Sequence, residues 1–137
     1  MAQSPNLNRR DFVKAAGVAA AAARLEGAPA IQTVKAANNV VQYGVIGTGG
    51  RGQYLIRHMN TLDGCRCVAV CDIYQPNLEA AIKISRDKPK GYLDYRELLA
   101  RTDVDAVIIA VPLYLHFPIT RDALLAGKHV FCEKSLV

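Results

Sequence analysis

Apolar residues fall in short runs separated by polar stretches of helical period, and this alternation predicts strands and helices in turn. Residues 40–46 form a mostly apolar run entering a glycine loop, the pattern of a parallel strand buried on both faces. In residues 52–59, Tyr54, Leu55, Ile56 and Met59 stand among polar neighbours, which predicts a short helix ending before the Asp63-Gly64 turn. Residues 67–71 predict a second buried strand that delivers Asp72 at its carboxyl end. Pro76 near a first turn and Leu78, Ala81 and Ile82 along one face predict the next helix. Lys88-Pro89-Lys90-Gly91 breaks the chain ahead of a very short third strand at Tyr92-Leu93. Asp94, with Glu97 three residues on, has the character of a capping box and opens a helix running to about Ala100. Residues 105–111 are the clearest strand, closed by Pro112, and a helix through Ile119 to Leu125 stops at Gly127. Residues 129–132 are the last strand and lead into Glu133-Lys134-Ser135.

Strands alternating with helices require crossover connections, and right-handed crossovers leave few topologies besides an α/β fold with a parallel, doubly wound sheet. The 137 residues have room for one domain, and a 51% hydrophobic, 21% charged composition is that of a globular chain. The formal charge of +5 is concentrated early: from Val40 on, twelve Lys and Arg stand against ten Asp and Glu, without a basic stripe interleaved with aromatics. A nucleic-acid surface is therefore unsupported.

Residues 1–39 read as an address. Arg9-Arg10 before Asp11 and Phe12, Lys14 closing the motif, the apolar run 15–23 and the small residues Ala28-Pro29-Ala30 follow the order of n-region, h-region and cleavage site. The paired arginines and alanine-rich core resemble a twin-arginine export signal, which predicts passage through the twin-arginine translocase to the periplasm. The alternative is an amphipathic helix, since Ala, Arg, Leu and Glu all favour one. Residues 40–137 then form the folded domain.

The loop between the first strand and first helix carries Gly47-Thr48-Gly49-Gly50-Arg51-Gly52, a G-x-G-x-x-G pattern. A diphosphate needs main-chain N–H groups aimed at it and nothing in the way. Gly47 makes the tight turn, Gly49 admits the phosphate to the main chain, and Gly52 packs the helix close to the strand. Thr48 and Gly50 add N–H donors, and Arg51 brings charge. Asp72, twenty residues after Gly52, is placed to accept hydrogen bonds from ribose hydroxyls and to repel a 2′-phosphate, so the expected cofactor is NAD rather than NADP. The alternative role for Asp72 is a helix cap ahead of Pro76. Cys65, Cys67, Cys71 and Cys132 lack the C-x2-C spacing of a zinc knuckle. Strand alternation places Cys67 and Cys71 on one face, too far apart to bond, as small apolar core residues.

From Gly44 onward the chain resembles the nucleotide-binding domain of the Gfo/Idh/MocA oxidoreductases. Beyond the glycine loop, the resemblance is carried by Val111-Pro112-Leu113-Tyr114-Leu115-His116, similar to that family's T-P-N-x-x-H. It is carried also by residues 126–134, AGKHVFCEK, similar to its A-G-K-H-V-x-x-E-K-P. Leu113 and Ser135 stand where the family has Asn and Pro. The resemblance implies that Glu133 and Lys134 lie beside the nicotinamide ribose, with Lys134 near the reacting carbon of a sugar or polyol. It implies that Pro112 borders the nicotinamide and that His116 lies near the same pocket. Without it, Lys134 reads as a solvated strand-end lysine and His116 as a polar residue opening a helix. It further implies a second domain supplying the sugar pocket, absent from these residues, and assembly as a homo-oligomer when that domain is present. The domain is thus expected to be incomplete at its carboxyl end, with a poorly covered sheet face. Some relatives with the same leader and nucleotide domain are glycosidases that oxidise and re-reduce a sugar; the remaining alternative is an inert nucleotide-binding fragment.

Overall fold

The computed structural model describes residues 40–135, so the leader read in residues 1–39 lies outside the described residues. Five strands form one parallel sheet: β1 (Val41–Ile46), β2 (Cys65–Cys71), β3 (Lys90–Tyr92), β4 (Ala106–Ile109) and β5 (His129–Cys132). Their order is β3-β2-β1-β4-β5. Helices α1 (Gly50–Met59), α2 (Gln75–Ile84), α3 (Tyr95–Leu99) and α4 (His116–Leu125) make the crossovers, with a 3₁₀ turn at Leu113–Leu115 before α4. The chain winds outward from β1 to β3 and then restarts at β4 on the other side of β1. The crevice past the carboxyl ends of β1 and β4 is therefore the topological switch point, where doubly wound sheets bind ligands.

Each face of the sheet carries its own core. Tyr43, Val45, Cys67, Val70 and Ile108 pack under α1 and α2 with Ile56, Leu78 and Ala81. Ile46, Ala69, Cys71, Val107 and Ile109 pack under α3 and α4 with Leu98, Leu99, Ile119 and Ala123. Strands with both faces covered have no polar alternation, which is why β1, β2 and β4 read as continuous apolar runs. β5 alternates instead. Val130 and Cys132 pack against the second core, while Phe131, facing the other way, is 55% exposed.

The helix ends obey local chemistry. Asp94 caps α3 by accepting the Arg96 N–H at 2.9 Å. α4 ends on Gly127 at φ 72, and the Lys128 N–H reaches back to the Ala123 carbonyl at 3.0 Å.

β2 departs from simple alternation. Tyr43 pairs with Cys67 but Gly44 pairs with Ala69, so Val68 is an extra, bulged residue. The Arg101 guanidinium donates to the Val68 carbonyl at 2.9 Å, and the Cys67 N–H donates to the Asp87 carboxylate at 2.9 Å. The bulge moves every later residue to the opposite face. Cys67 and Cys71 thus lie in different cores, correcting the single face that strict alternation implies. Burial pushes the Cys67 thiol up to about 11 and the Cys71 thiol up to about 12. Native-state alkylation near pH 8, followed by mass spectrometry, is therefore expected to label the half-buried Cys65 and Cys132 well before Cys67 and Cys71. Rapid labelling of either buried thiol would contradict the two-core packing.

Candidate functional site

The switch-point crevice is built on the turn from β1 into α1. Gly47, at φ 86, bends the chain, and its N–H donates to the Cys71 carbonyl at 2.8 Å, tying the loop to the end of β2. α1 begins at Gly50, two residues earlier than the hydrophobic pattern indicates. Its N-cap is Gly49, no side chain caps it, and its first turn holds no acidic residue. The first amides of an α-helix have no partner within it, and the helix dipole favours an anion there. A Cβ on Gly50 would meet nothing within 4 Å, and one on Gly49 only the Asn77 amide at 3.8 Å. Both glycines therefore face open space, which is the room a diphosphate needs against the main chain.

Gly52 has a different task. A Cβ there would land on the Gly47 carbonyl oxygen, with Val45 Cγ1 at 3.7 Å behind it. Its missing side chain lets α1 close onto the turn.

Asp72 follows β2 and faces the loop. Its Oδ2 accepts the Thr48 N–H at 2.7 Å and the Thr48 hydroxyl at 3.2 Å, with the Asn77 amide at 3.4 Å; its Oδ1 accepts the Tyr74 N–H at 2.9 Å. The cap of α2 is Tyr74, so Asp72 instead forms an Asx turn ahead of the helix with one oxygen and latches the glycine loop with the other. Oδ1, with one donor on it, retains acceptor capacity. Thr48 is fully buried. Its N–H, expected among the phosphate donors, is spent on Asp72, which makes Thr48 a residue that holds the loop rather than the ligand. The Gln53 side chain completes the brace by donating to the Thr48 carbonyl at 3.0 Å. Asn77 and Gln53 were silent in the sequence, where each reads as a surface amide on a helix.

Arg51, in the first turn of α1, reaches across the end of β4 to the residue after β5. Its Nε and Nη2 lie 2.7 and 2.6 Å from Glu133 Oε1, and its guanidinium stands 5.1 Å from the Tyr54 ring centroid. The Glu133 N–H donates to the Ile109 carbonyl at 2.9 Å, continuing the β4–β5 ladder and fixing where the carboxylate starts. Lys134 is exposed and has no hydrogen-bond or ion-pair partner among the described residues. Pro112 is exposed and caps the 3₁₀ turn, where its carbonyl accepts the Leu115 N–H at 2.9 Å.

His116 is only 3% exposed, and its two ring nitrogens lie 2.8 Å from the Ser135 carbonyl and 2.9 Å from the Val111 carbonyl. Both neighbours are carbonyl acceptors, so the ring N–H of a neutral imidazole serves one of them at a time. His116 joins the loop after β4, which carries Pro112, to the segment after β5, which carries Lys134. The sequence-derived residues thus converge past the carboxyl ends of the strands, where the Thr48 N–H is spent on the protein itself.

These residues fit a dinucleotide: an uncapped helix N-terminus beside two open glycines, a carboxylate at the end of the neighbouring strand, and Glu133 and Lys134 beyond β5. A model of an oxidoreductase family with an NAD-binding Rossmann fold matches residues 41–137, and a model of the twin-arginine translocation signal matches residues 6–23. A glycosyl hydrolase family 109 protein of Shewanella amazonensis is 39% identical over 93% of this chain and 33% of its own length. An alpha-N-acetylgalactosaminidase of Shewanella oneidensis is 35% identical over 96% of this chain and 34% of its own. The chain thus spans about a third of the length of these curated relatives. Among solved structures, the myo-inositol dehydrogenase of Lactobacillus casei, in complex with NAD(H) and myo-inositol, superposes with a TM-score of 0.67 at 39% identity, covering 72% of this chain and 29% of that one.

Proposed function

Because the chain belongs to the Gfo/Idh/MocA oxidoreductase family, we propose that it is the nucleotide-binding part of an exported, periplasmic NAD-dependent enzyme that moves a hydride at a carbon of a sugar or polyol. The observation that carries the reading is the open N-terminus of α1 set beside Asp72 at the end of β2. The α1 amides and Arg51 take the diphosphate, Asp72 takes the adenosine ribose hydroxyls, and Glu133 takes a hydroxyl of the nicotinamide ribose. When bound, the nicotinamide supplies the hydride acceptor. Lys134, exposed beyond β5, then stands to stabilise the oxygen of the carbon being oxidised. Residues 40–137 are the cofactor domain in this reading, residues 1–39 the export signal, and the sugar pocket belongs to a further domain of the whole, oligomeric enzyme.

A second reading is favoured by the glycosyl hydrolase family 109 relatives, whose similarity takes in 93% of the chain. In it the same hydride transfer is transient: the sugar is oxidised, its glycosidic bond breaks, and the hydride returns, so NADH never accumulates. Calorimetric titration of the chain with NAD and NADP tests what both readings share. NAD is expected to bind and NADP to bind about tenfold or more weakly, since a 2′-phosphate meets the Asp72 carboxylate. Absence of heat with both nucleotides would sink the proposal.

A further inference from the structure

The cation placed to meet a diphosphate already holds an anion. Arg51 sits one residue into α1, yet two of its nitrogens are spent on a single oxygen of Glu133. The pair links the first turn after β1 to the residue after β5, two strands away. Two strand spacings are about 10 Å, so the ion pair crosses the crevice rather than running along one wall. The first turn of α1 has no acid of its own, so Arg51 takes its carboxylate from beyond β5. The Glu133 side chain is 15% exposed and that of Arg51 is 55% exposed, so the guanidinium can swing while the carboxylate starts from a main chain pinned to β4.

Resting on the cofactor reading above, we infer that Glu133 is a built-in competitor for Arg51, and that an arriving dinucleotide exchanges it for its own diphosphate. A diphosphate offers Arg51 greater negative charge than one carboxylate, while the helix amides supply further donors that Glu133 does not use. The exchange frees the Glu133 carboxylate at the moment a ribose hydroxyl arrives beside it. Because Lys134 is the next residue, cofactor occupancy and the arrangement of the reacting end become linked. Arg51 is thus both a binding residue and the positioning residue for Glu133.

The probe that isolates this exchange is ADP, which has the diphosphate but lacks the nicotinamide riboside. Any effect of Glu133 on ADP must then pass through Arg51 or the local field. Calorimetry on the full chain with ADP and NAD is run for wild type, Arg51→Met, Glu133→Gln and the double variant, each checked for native circular dichroism. Arg51→Met is expected to weaken ADP about tenfold, the loss of one charge-assisted contact. Glu133→Gln is expected to tighten ADP about threefold, as a partly exposed ion pair no longer competes. In the Arg51→Met background Glu133→Gln is expected to change nothing. NAD gains less than ADP from Glu133→Gln, because the freed carboxylate is missing from the ribose. A Glu133→Gln variant that weakens ADP, or acts equally with and without Arg51, overturns the exchange. If the wild-type chain binds neither ADP nor NAD, it is the cofactor reading that fails.

Discussion

Gly52→Ala is expected to abolish measurable NAD binding and to destabilise the domain, although it adds only a methyl group. The added Cβ would be placed on the Gly47 carbonyl oxygen, a main-chain atom with no rotamer to change. Gly47 cannot retreat. Its N–H is fixed to the Cys71 carbonyl, and its own Cα side already faces the Ala110 carbonyl so closely that a Cβ there would lie 2.6 Å from that oxygen. The next residue is buried and latched to Asp72. Relief must come from α1 lifting off the sheet, which disturbs Ile56 in its core. Overpacking of this kind costs about 1–3 kcal/mol, and opening the loop misdirects the amides that face the diphosphate. A loss of affinity of about a hundredfold or more, near 2.7 kcal/mol, is the expected result. Gly50→Ala is the control: its Cβ meets nothing within 4 Å, so stability should hold or rise by up to about 1 kcal/mol, the usual helix gain. Urea denaturation and calorimetry on both variants separate the two outcomes. Equal stability of the two variants in urea would refute the steric assignment.

The same loop shows what was legible in the sequence. The G-x-G-x-x-G spacing, the apolar run before it and the acidic residue at the end of the next strand are local signals with a single shared use, and each stands where expected. β5 matched its expected bounds because Gly127 marks the preceding helix stop by its positive φ. The sequence hides the start of α1, since Gly50 disfavours helix by propensity and the apolar positions begin only at Tyr54. α4 begins at His116, the residue expected to open it, and β4 ends at Ile109 instead of Val111, since Pro112 and the 3₁₀ turn take up the intervening residues. The bulge at Val68 was invisible because an extra residue in one strand is defined only by its partner's register, and no residue within β2 records how β1 pairs with it. For the same reason the Thr48–Asp72 latch and the Arg51–Glu133 pair could not be read: each joins residues far apart in sequence that only the strand order makes neighbours.

Asp72 is where the binding and structural roles coincide, and its substitution has the second large effect. Four donors converge on one carboxylate: the Thr48 N–H and hydroxyl, the Asn77 amide and the Tyr74 N–H. Asp72→Ala leaves the Thr48 N–H buried without an acceptor, because Thr48 is 0% exposed. An orphaned buried donor costs about 1–3 kcal/mol, so the domain is expected to lose that much stability in urea denaturation. NAD affinity is expected to fall at least about tenfold, from the lost ribose contact and the loosened loop together. NADP affinity should fall far less, because removing the carboxylate also removes its repulsion of the 2′-phosphate. The NAD-to-NADP preference therefore collapses. Asp72→Asn does not restore it, since an amide nitrogen must face either the Thr48 N–H or the Tyr74 N–H. Thr48→Val separates the two roles. It deletes only the hydroxyl donor and leaves the main-chain bond to Oδ2, so it should cost stability while keeping the carboxylate and the nucleotide preference. If Thr48→Val collapses the preference as Asp72→Ala does, the discrimination comes from the shape of the loop and not from the charge of Asp72.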